Sequence, residues 1–128
     1  SKFITAALTG GSIEIYGDGY QTRDFTYVTD AVEANMLAAS YGGDSRIFNI
    51  GGGSRASVLE VIEMIGEATG DELRPEFLER ARGDVLATWA DTSLAAEEIG
   101  FSPRTGLEEG LRREIDWYRE HIEERTRR

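Results

Sequence analysis

Two short segments with alternating side chains, separated by a glycine turn, constrain the fold of this chain more than any other feature. Residues 12–16 (Ser-Ile-Glu-Ile-Tyr) alternate between polar and apolar side chains, and residues 24–28 (Asp-Phe-Thr-Tyr-Val) alternate again. Such alternation is typical of strands, and it puts Phe25 and Tyr27 on one face of the second strand. Gly17-Asp-Gly19 between them predicts a turn. Short strands that alternate with helices predict a mixed α/β domain.

The segment after the second strand predicts a buried helix. Thr29 or Asp30 is placed to cap a helix over residues 31–41. The side chains of this helix are apolar on nearly every face, which predicts deep burial. The segment Arg46-Ile-Phe-Asn-Ile50 predicts a short strand that ends at the glycine cluster 51–53.

The rest of the chain predicts helices with marked ends and one more strand. Ser57 and Glu60 stand at the spacing of a capping box, and Gly70 ends the helix that they begin. In the last helix, apolar side chains recur at steps of three and four residues, so one face belongs to the core. The further predicted elements are a helix over residues 3–10, a strand over residues 74–78, a helix capped by Asp91 or Thr92 that ends at Gly100, and a last helix over residues 106–124.

Composition limits the class of protein and its partners. The 128 residues fit one domain, residues 1–128. A net charge of −10 argues against nucleic acid and against an anionic membrane as partners, since both need clustered positive charge. The chain has no cysteine and one histidine, so we expect no metal site. No apolar run of about 18 residues, the length that would span a membrane, and no signal peptide is visible, which favours a cytoplasmic protein. The acidic, arginine-rich composition fits either a GC-rich genome or a halophile.

Arg23 has the position that best suits ligand binding. It stands between the glycine turn and the second strand, where a side chain can face a cleft. A guanidinium binds a diphosphate through paired hydrogen bonds better than a lysine does. The alternative is a surface salt bridge, for example with the adjacent Asp24.

Three segments together resemble one known family. Tyr16-Gly-Asp-Gly-Tyr-Gln-Thr-Arg-Asp-Phe-Thr-Tyr-Val-Thr-Asp30 is similar to a segment of the extended short-chain dehydrogenases/reductases, the NAD-dependent nucleotide-sugar epimerases and dehydratases. Phe48-Asn-Ile-Gly-Gly resembles a later strand end of that family. Gly83-Asp-Val, followed by Ala90-Asp-x-Ser-x-Ala95, resembles a third segment, and the three occur in the family's order.

The resemblance implies a particular part of an enzyme. The chain would be the α/β C-terminal substrate-binding lobe of an extended Rossmann-type enzyme similar to UDP-glucose 4-epimerase, with the N-terminal NAD-binding domain absent. Residues 24–28 and 47–50 would be edge strands of the NAD-binding sheet, and the helix over residues 30–41 would cover that sheet. No G-x-G-x-x-G spacing occurs, and Lys2 is the only lysine, so the family's Tyr-x-x-x-Lys pair is missing.

The resemblance also implies which residues meet the substrate. In the family, the arginine that matches Arg23 contacts the nucleotide diphosphate. The family's second arginine would fall at Ala81, so one of its neighbours would take the role, and Arg82 is favoured slightly over Arg80. The alternative for this segment is a turn whose arginine and aspartate pair with each other, and Asp91 is interpreted as a helix cap. The substrate-binding residues that the resemblance implies are Arg23, Arg82, Asp84, Gly17, Gly19 and Phe25.

The function expected from the resemblance is binding without hydride chemistry. The chain would hold the nucleotide and diphosphate of a UDP- or dTDP-sugar, while NAD would belong to the intact enzyme and would not bind this chain alone. Its partners would be the nucleotide-sugar and the missing NAD-binding half. The alternative is a free-standing binding or structural module, without catalytic activity, that forms a homo-oligomer to cover its strand edges. The sequence does not choose between epimerase and dehydratase.

Overall fold

Short strands alternate with helices, and the strands pair in two separate two-stranded sheets. The computed structural model describes residues 2–80 and 83–126, with side chains through residue 121. The mixed α/β class predicted from the sequence is confirmed. In chain order, the elements are α1 (Lys2–Thr9), β1 (Ile13–Tyr16), β2 (Thr22–Phe25), α2 (Val28–Ala39), β3 (Ser54–Ser57), α3 (Val58–Thr69), β4 (Pro75–Leu78), α4 (Ser93–Ile99) and α5 (Leu107–Thr126).

The first sheet joins β1 to β4 in parallel, with Ile13 opposite Pro75 and Tyr16 opposite Leu78. The alternation predicted for β1 is confirmed, because Ile13 and Ile15 are buried while the residues that follow each of them are exposed. The two isoleucines pack with Ile62 of α3. The period of two in the sequence therefore sets which face of β1 joins the core.

Helices α1, α3 and α5 pack together into what we call the helical core. The predicted capping box is present at the start of α3, where the Ser57 hydroxyl accepts the Glu60 N–H and the Glu60 carboxylate accepts the Ser57 N–H. Gly70 ends α3 in the left-handed conformation, at φ 82°. The buried residues of the helical core are Ile4, Ala7, Ala56, Val61, Ile65, Leu111 and Ile115.

The apolar face predicted for the last helix is confirmed within the described side chains. Leu111 and Ile115 are buried, and Leu107 and Tyr118 pack against the same cluster. Ile122, which continues the pattern, lies beyond the side chains that the structure describes. No helix in residues 2–80 or 83–126 is long and apolar enough to cross a membrane.

A second, smaller cluster lies between α2 and α4. It buries Ala34, Ala95 and Phe101, which Leu37 and Phe48 help to cover. We call α2, residues 45–50 and α4 together the α2 region.

The strand predicted over residues 46–50 is wrong. These residues have no ladder partner in the described part of the chain and form no regular strand. The partner of β2 is β3, which was not predicted, and the two run antiparallel with Arg23 opposite Ala56 and Phe25 opposite Ser54. A strand needs a neighbouring strand for its ladder hydrogen bonds, and no strand in the described part of the chain pairs with residues 46–50.

The deep burial predicted for α2 is also wrong. Only Asp30 and Ala34 of this helix are buried, while Val28 and Met36 are 64% and 68% exposed. An apolar sequence shows that a helix is suited to burial, but the described residues supply no layer that covers the exposed side chains of α2.

The prediction that Thr29 or Asp30 caps α2 is wrong, because both residues lie inside the helix. The helix begins one residue after Tyr27, whose side chain makes no capping hydrogen bond. Asp30 is instead buried, and its Oδ2 accepts the backbone N–H groups of Arg104 at 3.2 Å and Thr105 at 3.0 Å. The carboxylate therefore connects α2 to the loop before α5.

Candidate functional site

The site is built on the backbone of β2 and the segment that runs beside it. Thr22 donates its N–H to Leu86 O at 2.9 Å and accepts the Thr88 N–H at 3.1 Å. These two bonds form a parallel bridge between Thr22 and Ala87. They hold residues 84–88 against the start of β2, so that the next side chain of the strand lies over this segment.

That side chain is Arg23, and its guanidinium binds residues from both segments. Nη2 lies 2.6 Å from Asp84 Oδ1, and Nη1 donates to Val85 O at 3.0 Å and to Thr22 O at 2.8 Å. The Arg23 and Asp84 side chains are 29% and 25% exposed, so the ion pair is mostly shielded from water. The structure therefore brings together two of the residues predicted for the substrate site, and Arg23 pairs with Asp84 rather than with its neighbour Asp24.

The glycine turn lies next to this strand and has the predicted geometry. Gly17 and Gly19 adopt φ of 88° and 80°, backbone angles that residues other than glycine rarely adopt. A β-carbon on Gly17 would come within 3.7 Å of Arg80 Cγ, so the stem of Arg80 lies against the turn. Arg82, which the sequence analysis favoured slightly over Arg80, lies outside the described residues.

Phe25 is the predicted site residue whose contacts point elsewhere. It shares a face of β2 with Arg23, as expected from alternation, but it is half-buried and packs against the helical core. It also lines a small pocket with Leu107 and Leu111 of α5. Phe25 contributes to the site by anchoring β2.

Asp24 faces the other side of β2 and fixes two loops. Its Oδ2 accepts the Ala90 N–H at 3.3 Å, and its Oδ1 is buried without a hydrogen-bond partner among the described residues. A β-carbon on Gly51 would overlap the Asp24 carboxylate, and one on Gly52 would overlap the Phe25 carbonyl oxygen. The glycine cluster is therefore required for close packing behind β2.

The same cluster is not arranged as a dinucleotide cradle. In such cradles a glycine-rich turn leads directly into a helix whose N-terminus receives the pyrophosphate. Here β3 separates the glycines from α3, and the Glu60 carboxylate already occupies the helix start by accepting both the N–H and the hydroxyl of Ser57, each at 2.7 Å. These bonds lower the pKa of Glu60 below its ordinary value. The glycine cluster and the start of α3 do not fit NAD.

Asp91, interpreted from the sequence as a helix cap, stands one residue before Thr92, the N-cap of α4. Asp91 Oδ1 accepts the N–H of Ser93, the first residue of α4, and this bond lowers the pKa of Asp91. His121 is exposed and stacks on Trp117 with ring centroids 4.0 Å apart. In the described part of the chain, no group of three or more acidic, histidine or cysteine side chains is arranged to hold a metal.

Residues 1–51 match the family described as "NAD dependent epimerase/dehydratase family". The UDP-glucuronate 4-epimerase of Thermodesulfobacterium geofontis is 38% identical over 123 residues, which are 95% of this chain and 38% of the relative. The chain resembles the NAD-dependent epimerase/dehydratase family over nearly its whole length.

Solved structures of family members share the fold. MoeE5 in complex with UDP-glucuronic acid and NAD is 47% identical with a TM-score of 0.91, over 94% of this chain and 41% of that protein. The UDP-glucose 4-epimerase of Thermotoga maritima, solved with UDP-glucose, is 36% identical with a TM-score of 0.89, over 94% and 39%. The chain therefore spans about two fifths of the length of the family members that it matches.

Sequence reasoning missed one cation near the site. Arg55 stands opposite Asp24 in the β2–β3 ladder, and its Nε donates to Thr22 Oγ1 at 3.1 Å. It was missed because β3 (Ser-Arg-Ala-Ser) has no apolar alternation, so its sequence indicates only the residues that precede the capping box. The glycines that must pack against Asp24 and Phe25 were the available signal for a nearby strand.

Proposed function

We propose that this chain is the substrate-binding lobe of an NAD-dependent nucleotide-sugar epimerase or dehydratase, the C-terminal part of the intact enzyme. The observation that carries the proposal is the Arg23–Asp84 pair, which two backbone hydrogen bonds hold beside the Gly17 turn. The relative MoeE5, solved with UDP-glucuronic acid and NAD, supports a UDP-sugar as the ligand.

In this proposal Arg23 binds the diphosphate of the nucleotide-sugar. A guanidinium presents N–H groups in a planar fork that matches two phosphate oxygens. Arg80, whose stem lies against Gly17, supplies a second positive charge on the same side of the turn. Gly17 and Gly19 keep the backbone free of side chains where the nucleotide approaches.

NAD supplies the hydride acceptor when it is bound to the intact enzyme. Because the glycine cluster and the start of α3 do not fit this cofactor, we place it in the half of the enzyme that lies outside this chain. The residues of this chain bind and orient the nucleotide end of the substrate. They take no part in the hydride step, so the chain alone binds no NAD and has no turnover.

The α2 region supports the presence of that second half. Val28 and Met36 of α2 are exposed, and Ile47 in the unpaired segment is 89% exposed. Exposed apolar patches on a protein surface mark interfaces. We propose that the NAD-binding half covers it.

The same exposed surface supports a second candidate function, a free-standing module that self-associates through α2 and residues 46–50. The two candidates differ in what the chain does with ligand. The lobe binds nucleotide-sugars, whereas a purely structural module self-associates and binds none.

Calorimetric titration of the chain with UDP, UDP-glucuronic acid and dTDP-glucose tests the proposal, with adenosine monophosphate as control. We expect saturable binding of the nucleotide diphosphates and no turnover when NAD is added. If none of the nucleotide diphosphates binds, the binding role is wrong. If sugar turnover persists through repurification, the proposal that this chain takes no part in the hydride step is wrong.

A further inference from the structure

We infer that Gln21 is a positioning residue, which holds the glycine turn in a fixed place relative to Arg23. This inference rests on the proposed function, in which Arg23 binds the diphosphate and the nucleotide approaches the turn at Gly17 and Gly19. Gln21 acts through the backbone of the turn and not by touching the ligand, because its side chain is only 8% exposed and is directed at Tyr16 O.

The side chain of Gln21 closes the turn from inside. Its Nε2 donates a hydrogen bond to Tyr16 O at 2.9 Å. Tyr16 is the last residue of β1, and Thr22, directly after Gln21, is the first residue of β2. The two strands belong to separate sheets, so no ladder between them sets their spacing. The amide of Gln21 therefore joins the end of one strand to the start of the next.

The backbone of the turn is attached to the start of α3. The Val58 N–H donates to Gln21 O and the Leu59 N–H donates to Gly19 O, both at 3.2 Å. The first N–H groups of a helix have no partner inside the helix, and here two of them hold the turn. A β-carbon on Gly19 would lie 2.7 Å from Leu59 Cγ, so the turn packs directly on α3. Gln21 is thus fixed to α3 by its backbone while its side chain holds Tyr16.

Packing alone does not explain why a glutamine is buried here. Glutamine is mostly exposed in proteins, and burying its amide is unfavourable unless the amide is hydrogen-bonded. A methionine of similar length would fill the same space, but it has no N–H to donate to Tyr16 O. The feature that only the amide supplies is the hydrogen bond across the turn.

Arg23 is held by contacts that do not include Gln21. Its guanidinium donates to Thr22 O and Val85 O and pairs with Asp84. Loss of the Gln21 amide should therefore loosen the turn and leave the guanidinium in place. A ligand that lies along the turn as well as on Arg23 would lose preorganisation, whereas a ligand that contacts Arg23 alone would not.

Calorimetric titration with UDP and with inorganic pyrophosphate tests this difference. We expect Gln21→Met to lower the affinity for UDP about five- to tenfold, from lost preorganisation, and the affinity for pyrophosphate less than about twofold. Thr69→Val is the matched control, since Thr69 Oγ1 donates to Ile65 O at 2.9 Å at the opposite end of α3. This variant should bind both ligands like the wild type.

Gln21→Asn is a second variant that keeps the amide but is one methylene shorter, so the hydrogen bond to Tyr16 O is lost. We expect it to bind UDP as weakly as Gln21→Met does. If either variant binds UDP like the wild type, or loses UDP and pyrophosphate affinity equally, the inference is wrong and the role of Arg23 stands. A wild-type chain that binds neither ligand overturns the proposed function instead.

Amide hydrogen exchange, followed by nuclear magnetic resonance, gives a readout that needs no ligand. The Val58 and Leu59 N–H groups should exchange about tenfold faster in Gln21→Met than in the wild type, because the turn that accepts them opens more often. Their exchange should be unchanged in Thr69→Val. Rates in Gln21→Met equal to those of the wild type would mean that the turn stays fixed without the amide, which contradicts a positioning role.

Discussion

The helical core and the α2 region are both rich in apolar residues, but they bury them to different extents. Ile4, Ile65 and Ile115 in the helical core are each 1% exposed. In the α2 region, Val32 and Met36 are 53% and 68% exposed although their helix is also rich in apolar residues. The difference teaches that the helical core is complete within this chain, whereas the α2 region presents a face that suits a further layer.

The largest effect expected from this comparison is on stability. Ile65→Ala should lower the free energy of unfolding by about 2–5 kcal/mol, because it opens a cavity among α1, α3 and α5. Val32→Ala should change it by less than about 0.5 kcal/mol, because the side chain is half exposed. Urea unfolding of both variants measures the difference, and equal losses would mean that α2 is as well packed as the helical core.

Asp30 is a buried polar group that connects α2 to the loop before α5, and its loss should have the next largest effect. Asp30→Ala leaves the N–H groups of Arg104 and Thr105 without their acceptor, which should cost about 1–3 kcal/mol. The matched control is Asp44→Ala, in the exposed turn after α2. If the two variants unfold at the same urea concentration, the connection does not stabilise the fold.

Local signals predicted the elements that are stabilised locally. The start of α3 was predictable because Ser57 and Glu60 satisfy each other within one helical turn. The partner of β2 was not predictable, since β3 has no alternation and its residues lie 29 to 35 positions along the chain from their partners in β2. Local propensity does not encode such a contact.

The candidate site was predictable in its residues but not in its contacts. The resemblance named Arg23 and Asp84 separately, and nothing in the sequence showed that they pair, because they are 61 residues apart. The apolar pattern of α2 was seen correctly, but its burial depends on what packs against it. A sequence pattern shows which face can be buried and not whether the chain supplies the covering layer.

The capping box of α3 should contribute a smaller, pH-dependent stability. Ser57→Ala should cost about 1 kcal/mol at neutral pH. The folded-state pKa of Glu60 is lowered by the Ser57 N–H and hydroxyl, so its contribution is present above the unfolded pKa and is lost as the pH falls through the folded pKa. Urea unfolding should show that the difference in free energy of unfolding between wild type and variant becomes smaller from pH 7 to pH 3. If this difference is constant over the pH range, the Glu60 carboxylate does not contribute to the stability of the cap.

The smallest effect on stability, but a clear effect on association, is expected at the surface of α2. Met36→Glu should change the free energy of unfolding by less than about 0.5 kcal/mol, since the side chain is 68% exposed. The isolated chain should self-associate through this surface and residues 46–50, and the introduced charge should weaken that association. Sedimentation velocity compares the two, with Glu97→Gln on α4 as the control. A wild-type chain that stays monomeric at high concentration contradicts an uncovered interface.

The most direct test of the central claim is the affinity of the chain for a nucleotide diphosphate after substitution of Arg23. Arg23→Ala should weaken UDP-sugar binding about ten- to a hundredfold, the cost of a charge-assisted bidentate contact. Arg23→Lys should recover only part, because a point charge does not reproduce the planar fork. Arg46→Ala is the control, since Arg46 Nη2 lies 3.6 Å from Glu98 Oε1 in the α2 region. This variant should bind UDP-sugar like the wild type. Equal losses for Arg23→Ala and Arg46→Ala, or no loss for either, would contradict the assignment of the diphosphate site to β2.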